Sequence, residues 1–149
     1  MRNKISLFLV IAIFMGASAI SWGAEGSLYK RLGGYDAIAA VTDEFIGRMA
    51  KDPSLSKFFV GHSKDSLGRI RQLVVDQLCA ATGGPCVYIG RDMKTVHAGL
   101  GITDADWDTA VKHLVATLDQ FKVPAKEKDE FLALASSLKK DIVDTEHHH

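Results

Sequence analysis

The chain lacks an excess of charge of either sign. Its 18 Lys and Arg residues balance 18 Asp and Glu residues, so the formal net charge of the 149 residues is zero. A nucleic-acid-binding domain normally shows a clustered positive excess, and the absence of such a cluster argues against nucleic acid as a partner. With 47% apolar residues, the chain is also too hydrophobic to be a disordered acidic or basic tail.

Many of the apolar residues are concentrated at the amino terminus. Residues 5–20 read ISLFLVIAIFMGASAI, contain no charge and follow Arg2 and Lys4. The run is shorter than the roughly 20 residues that span a bilayer, and small residues follow it, which is typical of a secretory signal peptide. We therefore predict a signal peptide over 1–23 or, as the alternative, an uncleaved membrane anchor. Both a signal peptide and an anchor predict that the domain is exported, most simply to the periplasm. The domain would be attached to a membrane only if the leader is not cleaved.

The remaining chain of about 125 residues is enough for one domain with its own core. We predict this domain over 25–143, and its net charge is about minus two. A short tail over 144–149 ends in three histidines that look like the remnant of a purification tag. They are excluded from metal-site arguments.

No segment alternates apolar and polar residues with the two-residue period of a strand, and there are no internal repeats or low-complexity tracts. Apolar residues instead recur at the three- and four-residue spacing of helices along five stretches, which predicts an all-α fold. The stripes are Ile38, Val41, Phe45 and Met49; Leu67, Ile70, Val74, Leu78 and Ala81; Met93, Val96, His97 and Leu100; Trp107, Val111, Leu114, Leu118 and Phe121; Phe131, Ala135, Leu138 and Ile142.

Local signals predict where these helices begin and end. The first long helix starts at Tyr35 and stops at Asp52-Pro53, and the second stops at Gly83-Gly84-Pro85. Thr103, with Asp106 three residues later, is a predicted amino-terminal cap for the fourth helix, and Pro124 is the predicted first residue of the fifth. A shorter helical fragment is expected over 27–32.

His97 is the residue that most suggests chemistry, because it lies on an apolar stripe with Met93 and Val96. A buried imidazole costs desolvation unless a partner satisfies the ring. From the spacing alone, a core histidine that is hydrogen-bonded to a backbone carbonyl is the simpler interpretation. A metal-ligating histidine is the alternative.

Five motifs in order resemble those of the group I truncated haemoglobins, over roughly Leu28 to Ile142. They are Gly33-Gly34 before the first long helix, Phe58-Phe59 after the DPSLSK turn, Gly83-Gly84-Pro85, MKTVHAG and GIT. The resemblance implies a two-over-two helical sandwich around a haem. It also implies that the four glycines permit the sharp turns that hold the cofactor between short helices.

The resemblance assigns roles to individual residues. His97 matches the proximal histidine, the ligand of the haem iron, and Phe59 matches the phenylalanine that packs on the porphyrin, with Phe58 beside it. Arg91 and Lys94 are expected either to pair with the haem propionates or to be solvated. Other positions would contact the macrocycle, on its proximal side or at its rim: Met93, Val96, Ile102, Tyr88 and Trp107.

The distal side departs from the family pattern. Many members place a tyrosine and a glutamine where the matching positions here are Ile46 and Val74, with Ile70 at the gate. An apolar wall would release oxygen quickly, which favours a sensor or scavenger of small gases. The turn after Phe59 is three residues longer than the common pattern, so another alignment that brings in Gln72 or Gln77 stays open.

Two further questions concern the lengthened turn and the cysteines. His62 lies in that turn and is either a sixth iron ligand or, more commonly for a loop histidine, exposed. His113 lies off the apolar stripe of its helix and is expected to be exposed.

Cys79 and Cys86 either form a disulfide or remain free. Since the chain has no CxxCH motif, we expect haem b to be bound non-covalently.

The resulting hypothesis is a haem protein that reversibly binds oxygen or another diatomic gas (NO, CO) at five-coordinate iron held by His97. One alternative is a haem enzyme that detoxifies nitric oxide or peroxide. It would need an external electron donor or reductase, because the sequence shows neither a flavin-binding segment nor a distal acid/base pair. The other alternative is a haem-free helical interaction domain in which His97 is structural.

Overall fold

The computed structural model describes residues 26–145. The predicted leader over 1–23 and the terminal histidines lie outside these residues. Within 26–145 there are seven α-helices and no strand, so the prediction of an all-α fold is confirmed. The helices are α1 (Leu28–Leu32), α2 (Tyr35–Lys51), α3 (Lys64–Ala81), α4 (Met93–His97), α5 (Asp104–Gln120), α6 (Ala125–Ser136) and α7 (Lys139–Ile142), with a 3₁₀ turn (Ser56–Phe58) between α2 and α3. No helix in this part of the chain has the length and apolar character needed to cross a membrane.

The glycine pair between α1 and α2 makes a turn that other residues would adopt only with strain. Gly33 has a φ of +108° and Gly34 a φ of +81°, in the region that residues with a Cβ rarely occupy. The turn lets α1 contact both α2 and α6. The sharp turn expected at Gly33 and Gly34 is therefore present.

Helix α2 is the centre of the packing, because it contacts both α3 and α5, while α5 contacts α6. The two long pairs are thus α2 with α3 and α5 with α6. The buried core joins them and is formed by Leu28, Ile38, Val41, Val75, Cys79, Leu114, Leu118 and Phe131. Two threonines are fully buried beside these residues, and each satisfies its hydroxyl by donating to a carbonyl one turn earlier in its own helix, Thr42 to Ile38 and Thr117 to His113.

Charged side chains connect the helices at the edges of this core. The Arg71 guanidinium on α3 donates to both carboxylate oxygens of Asp43 on α2, at 2.7 and 2.8 Å. Arg31 on α1 donates to Glu127 and Glu130 on α6. Such forked pairs hold two helices in one relative orientation better than single contacts do.

The predicted cap of α5 is present. The Thr103 hydroxyl accepts from the Asp106 backbone N–H, and the Asp106 carboxylate accepts from the Thr103 backbone N–H at 3.0 Å. Lys57, in the 3₁₀ turn, places its ammonium 3.4 Å from the same carboxylate. The cap therefore also joins the start of α5 to the segment that precedes Phe58 and Phe59.

Three helix-boundary predictions were wrong. The stripe of α4 suggested a helix that reaches Leu100, but α4 ends at His97, because Ala98 is extended and Gly99 has a φ of +75°. The predicted fifth helix is divided into α6 and α7, since the Leu138 backbone N–H bonds to the carbonyl of Ala135, three residues back, which tightens and ends the helix. Pro124 caps α6 rather than being its first residue.

Cys79 and Cys86 form a disulfide, with Cα atoms 5.7 Å apart, so the alternative of free thiols is excluded. The disulfide encloses the turn after α3. Position 84 in this turn has to be glycine, because there is no room for a side chain. A Cβ at Gly84 would lie 2.5 Å from the Tyr29 ring and 2.7 Å from the Cys79 Sγ. Tyr29 also donates its backbone N–H to the Thr82 carbonyl at 2.8 Å, which fastens α1 to the same turn.

The expectation that His113 is exposed was also wrong. Its side chain is only 25% exposed, and Nε2 donates to the Asp52 carboxylate at 2.8 Å. Asp52 ends α2 and also accepts from the hydroxyl and the backbone N–H of Ser54. These bonds from Ser54 and His113 hold the pKa of the Asp52 carboxyl well below its usual range.

Reduction of the disulfide is expected to lower the free energy of unfolding by about 2.5 kcal/mol, the chain-entropy value for so short a loop. Urea unfolding with and without reductant measures this. The Cys86→Ser variant is the matched control, since it leaves Cys79 as a small buried thiol and its unfolding should not respond to reductant. An equal response in wild type and variant would contradict the prediction.

The depressed pKa of Asp52 predicts a pH-dependent stability. The folded state favours the ionised carboxylate, so its contribution is present above the ordinary pKa of 3.8 and is lost as pH falls through the lower folded value. Asp52→Asn should therefore be less stable than wild type at pH 7, and the difference should narrow from about pH 4 downwards. Urea midpoints between pH 7 and pH 2 test this. Asp129→Asn on α6, which removes an exposed carboxylate, should show no comparable trend.

Candidate functional site

His97 is the last residue of α4 and is half-buried. Its Nδ1 lies 2.8 Å from the carbonyl oxygen of Met93. A carbonyl can only accept, so Nδ1 carries a hydrogen, and in the neutral ring the lone pair is then on Nε2. This is the tautomer in which a histidine binds a metal through Nε2, with the other nitrogen oriented by a backbone carbonyl.

The hydrogen bond to a backbone carbonyl that is expected of a structural histidine is thus present, and this hydrogen bond is compatible with metal ligation. It satisfies one nitrogen and leaves the second available. The bond alone does not distinguish the two interpretations made from the sequence, so the surroundings of the ring decide between them.

Helix α4 has only five residues and needs support at its start. Asp92 caps it, accepting from the Thr95 backbone N–H at 2.9 Å and from the Thr95 hydroxyl at 2.7 Å. These bonds lower the pKa of the Asp92 carboxyl, which is therefore ionised near neutral pH. This cap was not predicted from the sequence, although Asp is one of the residues favoured just before a helix.

Helix α4 packs against α7, and the Ile102 carbonyl, just beyond α4, accepts from the Asp144 backbone N–H at 2.8 Å. Apolar side chains on α4 and in the segment that follows it nevertheless keep much of their surface open. Val96 is 41% exposed and Leu100 46% exposed, while Met93 and Ile102 are half-buried. Helix α4 and the segment after it therefore carry apolar side chains outside the buried core.

The predicted rim residue Tyr88 lies in the connection between the disulfide and α4. Its hydroxyl donates to the Arg91 carbonyl, and its ring covers Gly90, where a Cβ would lie 2.3 Å from the hydroxyl oxygen. Burial and then the charge of Asp92 raise the pKa of Tyr88, so the phenol remains protonated. The other predicted rim residue, Trp107, is half-buried on α5.

Arg91 and Lys94 are exposed at the two ends of the Asp92 cap. Neither forms an ion pair with another residue of the described segment 26–145. Their charges therefore remain available to an anionic partner beside α4.

The predicted distal residues lie on the two helices that pack together, Ile46 on α2 and both Ile70 and Val74 on α3, and all three are half-buried. Phe59 follows the 3₁₀ turn and is half-buried as well. Phe58 is partly covered by the Lys57 ammonium, 4.8 Å from the ring centroid.

The polar side chains that the sequence left open have different environments. Gln72 is exposed and donates to the Tyr35 hydroxyl at 2.9 Å and to Asp76 at 3.0 Å. His62 is exposed, with Nδ1 3.2 Å from the Ser66 hydroxyl. Gln77 is half-buried.

The comparisons with known proteins agree with one another. The bacterial-like globin family matches residues 27–144. A group 1 truncated haemoglobin of Mycolicibacterium paratuberculosis is 35% identical over 116 residues, which cover 78% of this chain and 83% of the relative. A second, from Chlamydomonas moewusii, is 32% identical and covers 78% of this chain and 68% of its own length.

Solved structures show the same fold. The truncated haemoglobin of Tetrahymena pyriformis superposes with a TM-score of 0.74 at 24% identity, over 80% of this chain and all of that chain. The 2/2 haemoglobin of Synechococcus, crystallised in the cyanomet state with covalently attached haem, has a TM-score of 0.71 at 28% identity and covers 79% of this chain and 98% of its own. The two-over-two architecture expected from the sequence is therefore confirmed.

Proposed function

This chain belongs to the bacterial-like globins, as a group 1 truncated haemoglobin, and we propose that it holds haem b through His97 and binds a diatomic gas reversibly at the iron. The observation that carries the proposal is the hydrogen bond from Nδ1 of His97 to the Met93 carbonyl, which orients the ring and leaves Nε2 as the nitrogen that can bind a metal. Haem, when bound, supplies an iron with one position for a protein nitrogen and one for a gas.

The residues around His97 fit such a group. No three His, Cys, Asp or Glu side chains of residues 26–145 come together as ligands for a bare metal ion, and we propose the single imidazole of His97 as the donor to the haem iron. A porphyrin needs one nitrogen ligand and a large apolar contact. Met93, Val96 and Ile102 supply that contact on the His97 side.

Charge and shape support the same assignment. Arg91 and Lys94 are exposed cations beside α4 and would pair with the two propionates. Tyr88 stays protonated and bonded to the Arg91 carbonyl, which holds the connection at the rim. Because the chain has no CxxCH motif, we propose non-covalent binding.

Replacing His97 by Gly is expected to lower haem affinity by more than about 100-fold, because loss of a residue that only orients a metal ligand already costs 10- to 100-fold. The Soret band of protein mixed with one equivalent of haem measures this, and extraction into acidified butanone tests non-covalent attachment. Added imidazole should restore the spectrum.

His113→Ala is the matched control, since His113 is engaged by Asp52, and it should keep the Soret band of wild type. A His97→Gly variant that binds haem as tightly as wild type without imidazole would refute the assignment.

We expect the ferrous iron to be five-coordinate, because His62 is exposed and hydrogen-bonded to Ser66. The visible spectrum of the reduced protein should be high-spin and should not change in His62→Ala. A low-spin, six-coordinate spectrum that becomes five-coordinate in this variant would identify His62 as the sixth ligand instead.

A further inference from the structure

We propose that the disulfide between Cys79 and Cys86 is a redox-sensitive control on the haem site, which positions His97 while it is oxidised and loosens it when a dithiol reduces it. The inference rests on the proposed function, because it concerns the histidine that would hold the iron. It gives the disulfide a role beyond its contribution to the stability of the fold.

The segment 87–101, which contains α4 and His97, has few links to the rest of the protein. The hydrogen bonds of its side chains are local: Tyr88 to Arg91, Thr95 to Asp92 and His97 to Met93. Within 26–145, no hydrogen bond or ion pair of this segment reaches another element. Apolar packing of α4 against α7 and the polypeptide chain itself are its other connections.

The disulfide supplies a link at the start of this segment. Cys86 directly precedes residues 87–101, and its partner Cys79 is fully buried in the core on α3. At the other end, the Ile102 carbonyl accepts from the Asp144 backbone N–H. Without the disulfide, the backbone alone would join the start of the segment to the turn after α3.

Loosening of this end affects His97 because α4 is so short. The hydrogen bond from Nδ1 to the Met93 carbonyl exists only while the residues between them are helical, and five residues do not form a stable helix by themselves. A frayed α4 would leave the imidazole without the bond that orients it and raises the basicity of Nε2. The bond from Nε2 to a metal would then be weaker.

The disulfide can be reached by a thiol from the Cys86 side. Cys79 is fully buried, whereas Cys86 is half-buried and lies between the exposed residues Pro85 and Val87, of which Val87 is 74% exposed. Thiol–disulfide exchange requires that a thiolate reaches one of the two sulfur atoms. Cys86 is therefore the position of attack.

Reduction proceeds in two exchange steps. In the first, a thiolate of the dithiol attacks the Cys86 sulfur, the bond between the two cysteines breaks, and its electron pair leaves on Cys79, which takes up a proton. In the second, the other thiol of the dithiol attacks the mixed disulfide and releases Cys86 as a thiol. The cysteines gain the two electrons and two protons that the dithiol loses, and the dithiol becomes a disulfide.

The reduced protein should remain folded, so that the effect is local. The stability lost on reduction is smaller than the total stability of a typical domain. Regions with few links to the core open before the domain unfolds as a whole. Residues 87–101 are such a region.

Hydrogen exchange of the haem-free protein, with and without dithiothreitol, tests the loosening directly. Mass spectrometry of peptides that cover 87–101 should show exchange that is faster by about tenfold in the reduced protein, a loss of about 1.4 kcal/mol of local stability. Cys86→Ser should show the fast exchange with or without dithiothreitol. Alkylation of both thiols in the folded wild type measures the extent of reduction.

The haem-loaded protein provides two further measurements. The rate of haem transfer to excess apomyoglobin should rise by about tenfold on reduction, the lower end of the effect of losing a group that orients a metal ligand. The iron–histidine stretching frequency of the ferrous protein should fall, because an imidazole without its carbonyl partner is a weaker donor. A bond that contributed only to global stability would leave this frequency unchanged.

Ile38→Ala is the matched control, since it removes a fully buried side chain from the core and lowers the stability of the whole domain. It leaves the disulfide intact. Exchange over 87–101 and the iron–histidine frequency should therefore stay as in oxidised wild type.

Equal exchange over 87–101 in the oxidised and reduced proteins would overturn this inference, and so would an equal effect of Ile38→Ala, because the cause would then be stability in general. A disulfide that dithiothreitol does not reduce in the folded protein would overturn it as well. A response of Cys86→Ser to dithiothreitol as large as that of wild type would do the same. A wild-type protein that takes up no haem would instead refute the proposed function, and the exchange of the haem-free protein would still report on the disulfide.

Discussion

The hydrogen bond from His97 Nδ1 to the Met93 carbonyl is the interaction on which the site depends. It exists only while the residues from Met93 to His97 stay helical, because it joins residues four apart. A helix of five residues is too short to be stable by itself. The rest of the fold therefore has to hold α4 from outside.

That support reaches α4 from both ends. At its start, Asp92 satisfies free backbone amides, and the disulfide fixes the preceding connection to the buried Cys79. The turn enclosed by the disulfide is itself held by Tyr29 of α1, and α1 is held to α6 by Arg31. At the far end, the Asp144 backbone bonds to Ile102. The imidazole is positioned through this series of contacts rather than by burial in the core.

The other side of the site depends on the orientation of α3. This helix faces the core and α2 with one side. The buried Val75 and Cys79 lie on that side, between Arg71 and Gln72 around the helix. The bonds of Arg71 and Gln72 to α2 set its rotation, and that rotation decides which side chains of α3 are turned away from α2. The forked contact of Arg71 with Asp43 therefore fixes which face of α3 is buried.

Much of this could be predicted from the sequence, because the relevant signals act over a few residues. Helical stripes, the Gly33-Gly34 turn, the stop at Asp52-Pro53 and the Thr103 cap are set by backbone sterics and by hydrogen bonds within one turn of helix. The motif order around His97 indicated the family for the same reason, since each motif is a short local device.

What the tertiary structure alone decided involves partners distant in sequence. The pairing of His113 with Asp52 spans 61 residues and that of Gln72 with Tyr35 spans 37, and no local pattern encodes either. Periodicity determines which residues of a helix share a face, but the direction in which that face points depends on the helices packed against it.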